Sequence, residues 1–135
     1  MDFKIKDGEQ IRTVIAEKAD ATVIEAGDIV GITAGLIVKA GATTAEIAYC
    51  PKGAGAGTTE IEVTVGNDFT LVGTADANFA KANRGAEVDL VLSGDDQQID
   101  IGASATDVFK VGLAQDSGTV GSATDVEVRI NKPLF

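Results

Sequence analysis

Apolar and polar residues alternate in short runs along this chain, as in Phe3-Lys4-Ile5-Lys6, Glu60-Ile61-Glu62-Val63-Thr64-Val65, Gln98-Ile99-Asp100-Ile101 and Asp125-Val126-Glu127-Val128-Arg129-Ile130. A period of two turns one face of each run toward a core and the other toward water, the pattern of a half-buried strand. Clusters of Gly, Asn and Asp separate the runs. Strands are predicted over 21–25 and 28–32, joined at Ala26-Gly27, then over 36–40 and over 46–50, where Pro51 stops the last. The pairs Ile29-Val30 and Leu36-Ile37-Val38 break the alternation, which predicts cover on both faces. Gly53-Ala54-Gly55-Ala56-Gly57 reads as a flexible loop, and 60–65 with 69–73 as a hairpin across Gly66-Asn67-Asp68. Further strands are predicted over 86–92, 97–101, 108–111 and 125–130. One short helix is predicted over 76–83, with Gly85 as a left-handed cap.

Residues 1–20 differ in character from the rest of the chain, with five acidic and four basic residues around the apolar beads Phe3, Ile5, Ile11, Val14 and Ile15. They read either as a hairpin turning at Asp7-Gly8 or as an extended arm that pairs with something else. The expected organisation is an arm over residues 1–20 and a single β-domain over residues 21–135, a compact sandwich or barrel. Composition agrees with a sheet protein, since Val and Ile supply 26 residues against six Leu. β-branched side chains suit a pleated surface and lose rotamer freedom in a helix.

The candidate chemistry is sparse. The chain has no His and one Cys, so the commonest general base is missing and an internal disulfide is excluded. Cys50 reads as a small core residue. The glycine loop lacks the Lys-Ser or Lys-Thr and the following helix that a phosphate cradle needs. Asp95, Asp96 and Asp100 form the densest acidic cluster, but without the spacing of a calcium loop. Glu60 and Glu62 share one face of a strand and read as a solvated face, not an acid–base pair. No catalytic residue, metal or cofactor is assigned, and the expected class is non-enzymatic. A net charge of −10 disfavours nucleic acid and anionic membranes as partners. No apolar leader or spanning run is present, which leads to an expectation of synthesis in a cytoplasm.

Glu25-Ala26-Gly27-Asp28-Ile29-Val30-Gly31-Ile32, Gly35-Leu36-Ile37-Val38-Lys39-Ala40, Asn83-Arg84-Gly85-Ala86-Glu87-Val88-Asp89-Leu90 and Val108-Phe109-Lys110-Val111 together resemble the head decoration (capsid-stabilising) proteins of tailed bacteriophages, over roughly residues 20–130. An Ala-Gly-Asp turn also occurs in lipoyl- and biotinyl-type domains, but no Lys here sits in the context those carriers use. The resemblance implies a β-tulip domain that forms homotrimers at three-fold positions of an icosahedral shell, on the outer surface of the virion. It also implies the major capsid protein as partner, engaged through N-terminal segments. Phe3, Ile5, Ile11 and Val14 are then the expected contact residues. Leu134 and Phe135 are either a second anchor or a tail folded on the core. A rival class is a small β-barrel binding or adhesin-like module, or another minor virion protein such as a head-fibre base; a His-free hydrolase or carrier is the third.

Overall fold

The computed structural model describes residues 3–8 and 11–135. Thirteen strands form among them: β1 (Phe3–Gly8), β2 (Arg12–Glu17), β3 (Ile24–Glu25), β4 (Ile29–Thr33), β5 (Leu36–Lys39), β6 (Ala48–Tyr49), β7 (Gly53–Ala54), β8 (Glu60–Val65), β9 (Phe69–Thr74), β10 (Glu87–Ser93), β11 (Asp96–Asp100), β12 (Phe109–Val111) and β13 (Asp125–Ile130). A six-stranded sheet runs β1-β9-β13-β12-β10-β11, a five-stranded sheet β2-β8-β6-β4-β5, and β3 pairs with β7. Every pairing between named strands is antiparallel. The expected all-β sandwich is the fold.

Two cores explain why some runs alternate and others do not. The main core lies between the sheets and contains Phe3, Phe69, Leu71, Leu90, Ile99, Phe109, Val126 and Val128 from the larger sheet, with Ile29, Ile47 and Tyr49 from the other side. The second core holds Ile24, Val30, Ala48, Cys50, Ile61, Val63 and Val65. Ile29 and Val30 are neighbours on β4, so they point to opposite faces, one into each core. The five-stranded sheet is covered on both sides there, as the unbroken Ile-Val pair predicts. Its two end strands also meet: Lys18 and Ile37 form a parallel bridge, and the Ala19 N–H donates to the Ile37 carbonyl at 3.1 Å. Lys18 is buried at this closure, its ammonium donating to the carbonyls of Ala19, Asp20 and Thr22.

The N-terminal segment corrects the arm. β1 pairs with β9, Phe3 opposite Gly73 and Gly8 opposite Phe69, while β2 pairs with β8, Arg12 opposite Val65 and Glu17 opposite Glu60. After a one-residue shift between Ile5 and Asp7, the pairs Asp7–Thr70 and Gly8–Phe69 have the register of Arg12–Val65 through Glu17–Glu60, so β1 and β2 lie in line along β9 and β8 but in different sheets. Bending a ribbon from one sheet to the next makes the corner of a sandwich. The Asp7-Gly8 hairpin is therefore not formed, and described residues of the expected arm are structural strands. Asp2 and Glu9 of that segment, with Met1 and Gln10, lie outside the described residues.

The same bend undoes the hairpin expected across residues 66–68. β8 and β9 do not pair with each other. Ile61, Val63 and Val65 serve the second core, Phe69 and Leu71 the main one, so a shared sheet would leave one set without cover. The glycine loop is likewise shorter than expected, because Gly53-Ala54 pairs with Ile24–Glu25. Gly53 has φ +76°, and a Cβ there would lie 2.6 Å from the Ile24 carbonyl oxygen.

The helix expected over 76–83 reduces to a 3-10 turn, Lys81–Asn83. Its upstream backbone is already committed: Asp76 N–H donates to the Ile99 carbonyl and Phe79 N–H to that of Ser122, both at 2.9 Å. The Asn83 side chain accepts from the Ala80 N–H at 2.7 Å and starts the turn. Gly85 comes next with φ +77°, the left-handed residue the sequence indicated.

Candidate docking surface

The six residues expected at an interface divide sharply. Phe3 is 0% exposed and stacks on Phe109 with ring centroids 5.3 Å apart, so it is a core residue and offers a partner nothing. Ile5 is partly buried against the main core, and Val14 and Leu134 against the second. Only Ile11, 49% exposed, and Phe135, 73% exposed, stand at the surface. Phe135 lies under the Arg12 guanidinium, 5.4 Å from the ring centroid, which is cation–π distance. Leu134 donates its N–H to the Ile47 carbonyl at 2.8 Å, and Pro133 bridges Ile47 in parallel. The tail thus folds back at Leu134 and leaves Phe135 exposed beside Arg12.

Ile15 is the surface residue that the site assignment missed. It is 66% exposed, on the face of β2 opposite Val14 and Ala16. In Arg12-Thr13-Val14-Ile15-Ala16-Glu17 apolar residues occupy both phases, so alternation alone does not say which phase is buried. Pairing with β8 decides it: Val14 and Ala16 oppose Val63 and Ile61, both in the second core. β1 and β2 are end strands of their sheets, and a bulge between Ile5 and Asp7 interrupts the β1 register. Lys6, the extra residue, reaches Glu127 and Asp116. A bulge and lysines blunt an edge against strand pairing, which leaves β2, with Ile15 on it and Ile11 just before it, as the more receptive half.

The acidic groups are spent on the chain itself. Asp95 and Asp96 sit at the β10–β11 turn, while Asp100 is at the far end of β11, roughly 13 Å along an extended strand. They do not converge, and no group of three metal-ligating side chains forms among the described residues. Asp100 instead faces Asp89 across the ladder and lies close to Asp76. Burial, then the Asp76 charge, pushes its pKa up. Cys50 is buried in the second core, where its Sγ accepts the Gly53 N–H at 3.2 Å, and burial pushes the thiol pKa up. Glu62 pairs with Lys52 at 3.0 Å, so Glu60 and Glu62 are not an isolated carboxylate pair.

Asp89 has the most demanding environment. Its carboxylate accepts from the backbone N–H groups of Ala105, Thr106 and Asp107 at 2.8–3.0 Å, pinning the loop that carries Asp107 at φ +53°. Burial alone would push its pKa up, but the hydrogen bonds from Asp107, Ala105 and Thr106 outweigh burial, and the pKa lies below the usual value. A lowered native pKa gives stability that is present above the unfolded value and lost as pH falls through the native one. Asp89→Asn should therefore cost about 1.5–3 kcal/mol in urea denaturation at neutral pH, with the gap to wild type closing below roughly pH 4. A gap independent of pH would show that the charge is not what holds the loop. Asp100 works in the opposite sense: its raised pKa contributes stability at low pH that is lost as pH rises.

No protein-family model, characterised protein or solved structure matches this chain.

Proposed function

We propose that this chain is a non-enzymatic structural protein that decorates and stabilises the outer surface of an icosahedral phage capsid. In this reading it sits as a homotrimer at three-fold positions and bridges major coat subunits. The observation that carries the reading is the β1–β2 segment. It supplies an end strand to both sheets, is anchored by Phe3 in the main core, and turns Ile15 outward on β2, with Ile11 exposed just before that strand. A partner strand can add to such an edge, with main-chain hydrogen bonds giving affinity and alternate side chains giving selectivity. Anchoring both sheets to that edge lets force on a docked partner reach both cores. The acidic balance suits an exterior position and a high local concentration. The short segments that resemble decoration proteins support the same assignment, and three weak contacts on one trimer would add through avidity.

Co-sedimentation with expanded and unexpanded capsids tests this. Wild-type protein is expected to pellet with expanded shells, and Ile11→Ser with Ile15→Ser to need at least about tenfold more protein for the same occupancy. Both side chains are largely exposed, so the double variant should melt as wild type does. Undiminished occupancy would remove β2 as the docking edge. Absence of wild-type binding to either shell form would end the capsid reading.

A further inference from the structure

Two like-charged cross-strand pairs of opposite sign stand on different sheets of this molecule. Glu17 on β2 is directly opposite Glu60 on β8, and Lys110 on β12 is directly opposite Arg129 on β13. All four side chains are exposed, and none has an ion-pair partner within 4.0 Å among the described residues. Like charges facing each other across a ladder destabilise a sheet. Their neighbours do not relieve them in the same way. Glu62 is taken by Lys52 and Glu127 by Lys6, whereas Glu87 on β10 opposes only Lys110 and leaves Arg129 without a facing carboxylate.

Each pair also sits beside an outlying aliphatic side chain. Ile15, 66% exposed, shares its strand face with Glu17. Leu113, 77% exposed, lies with Lys110 and Arg129 around a groove of about 400 Å³ that Thr70 and Ala114 help to line. With a net charge of −10, most surfaces of two copies repel; this groove, where Glu127 is held by Lys6 and Lys110 and Arg129 stand beside an apolar wall, is a place where they need not.

We propose that the two patches are the two halves of a head-to-tail contact between copies of this chain. Ile15 enters the groove beside Leu113, while Glu17 and Glu60 face Arg129 and Lys110 of the next copy. Because the halves differ, the contact is heterologous, and it closes into a ring when the rotation permits. The inference rests on the self-associating part of the function proposed above and shares Ile15 with the docking edge there, so the charge variants, which keep Ile15, are the ones that separate it from shell binding.

Sedimentation velocity of the full chain over a concentration series tests it. Wild type should associate at low ionic strength and weaken as salt is raised, since the contact is charge-rich and lies at a surface. Glu17→Lys with Glu60→Lys should weaken association at least about 100-fold, and so should Lys110→Glu with Arg129→Glu. Glu17→Lys with Glu60→Lys keeps a like-charged pair within the chain, so its thermal midpoint should match wild type, whereas Lys110→Glu also comes to face Glu87 and should lower the midpoint. Should either reversal fold poorly, the neutral Glu17→Gln with Glu60→Gln replaces it, with a loss of about tenfold expected. Combining all four reversals in one chain should restore association to within about tenfold of wild type. A monomeric wild type at every concentration overturns the contact. So does a reversal that associates normally, or a fourfold variant no better than its parents. The same variants added to capsids separate the two ideas: a monomer that still pellets with shells overturns this contact alone, whereas chains that associate as expected and never pellet support it and sink the capsid reading.

Discussion

Phe3→Ala is expected to lower the unfolding free energy by about 3–5 kcal/mol, the cost of deleting a large side chain from a close-packed interior. Phe3 is fully buried, stacks on Phe109, and lies directly opposite Gly73 on β9. The glycine is part of the same arrangement, since a Cβ at Gly73 would stand 2.3 Å from the Phe3 ring. Gly73→Ala should therefore also destabilise, by roughly 1–3 kcal/mol, through overpacking at the position where Phe3→Ala leaves a cavity. The two changes meet in one place and should not add: in the double variant the new methyl partly fills the void left by the ring. Deleting residues 1–18 goes further, because it removes an end strand from each sheet along with the buried Lys18. The truncated chain should show no cooperative transition by circular dichroism in urea. A truncated chain that unfolds cooperatively near the wild-type midpoint would restore the N-terminal segment to a detachable arm.

That contrast shows where the sequence is informative. Strands such as Glu60–Val65 and Asp125–Ile130 were legible because alternation is a local property, carried by residues two apart. The double cover of β4 was legible for the same reason, since Ile29-Val30 breaks the period. Sheet membership was not. Phe3 meets Gly73 and Arg12 meets Val65, pairings across more than fifty residues that no local pattern encodes. The run Phe3-Lys4-Ile5-Lys6 says that Phe3 and Ile5 share a face; it does not say whether that face meets the chain's own core or another protein. The candidate surface failed on the same point. Val14 and Ile15 are equally apolar, and only the phase fixed by β8 sends one inward and the other out. Lys18 illustrates the limit in another way. A lysine reads as a surface residue, yet the carbonyls of Ala19, Asp20 and Thr22 turn inward at the sheet closure and satisfy its ammonium there.

Gln97 extends this to the joint between the sheets and carries the second large expected effect. It sits on β11 at the edge of the larger sheet, 1% exposed, and its side-chain amide reaches the smaller one. Oε1 accepts the Ile29 N–H at 2.7 Å, and Nε2 donates to the carbonyls of Ile29 at 2.8 Å and Ala40 at 3.0 Å. Ala40 N–H already donates to the Ile29 carbonyl, so the amide occupies the place where the reciprocal bond of that ladder would form. Gln97→Leu keeps the volume but leaves the Ile29 N–H and the Ala40 carbonyl buried without that partner, at about 1–3 kcal/mol each. A total loss of roughly 3–5 kcal/mol by urea denaturation is expected, with the strands on either side still formed. Gln97→Glu separates the polar requirement from packing. An ionised carboxylate can take the Ile29 N–H but faces two carbonyls with no proton to give, so burial and repulsion together raise its native pKa above the unfolded value. Stability from such a group is present below the unfolded pKa and lost as pH rises through the native one. The Glu variant should therefore approach wild type near pH 4 and fall to the level of the Leu variant or below by pH 7, each measured against wild type at the same pH. If the Glu and wild-type proteins differ by the same amount at both values, the amide's two donated bonds are not what joins the sheets.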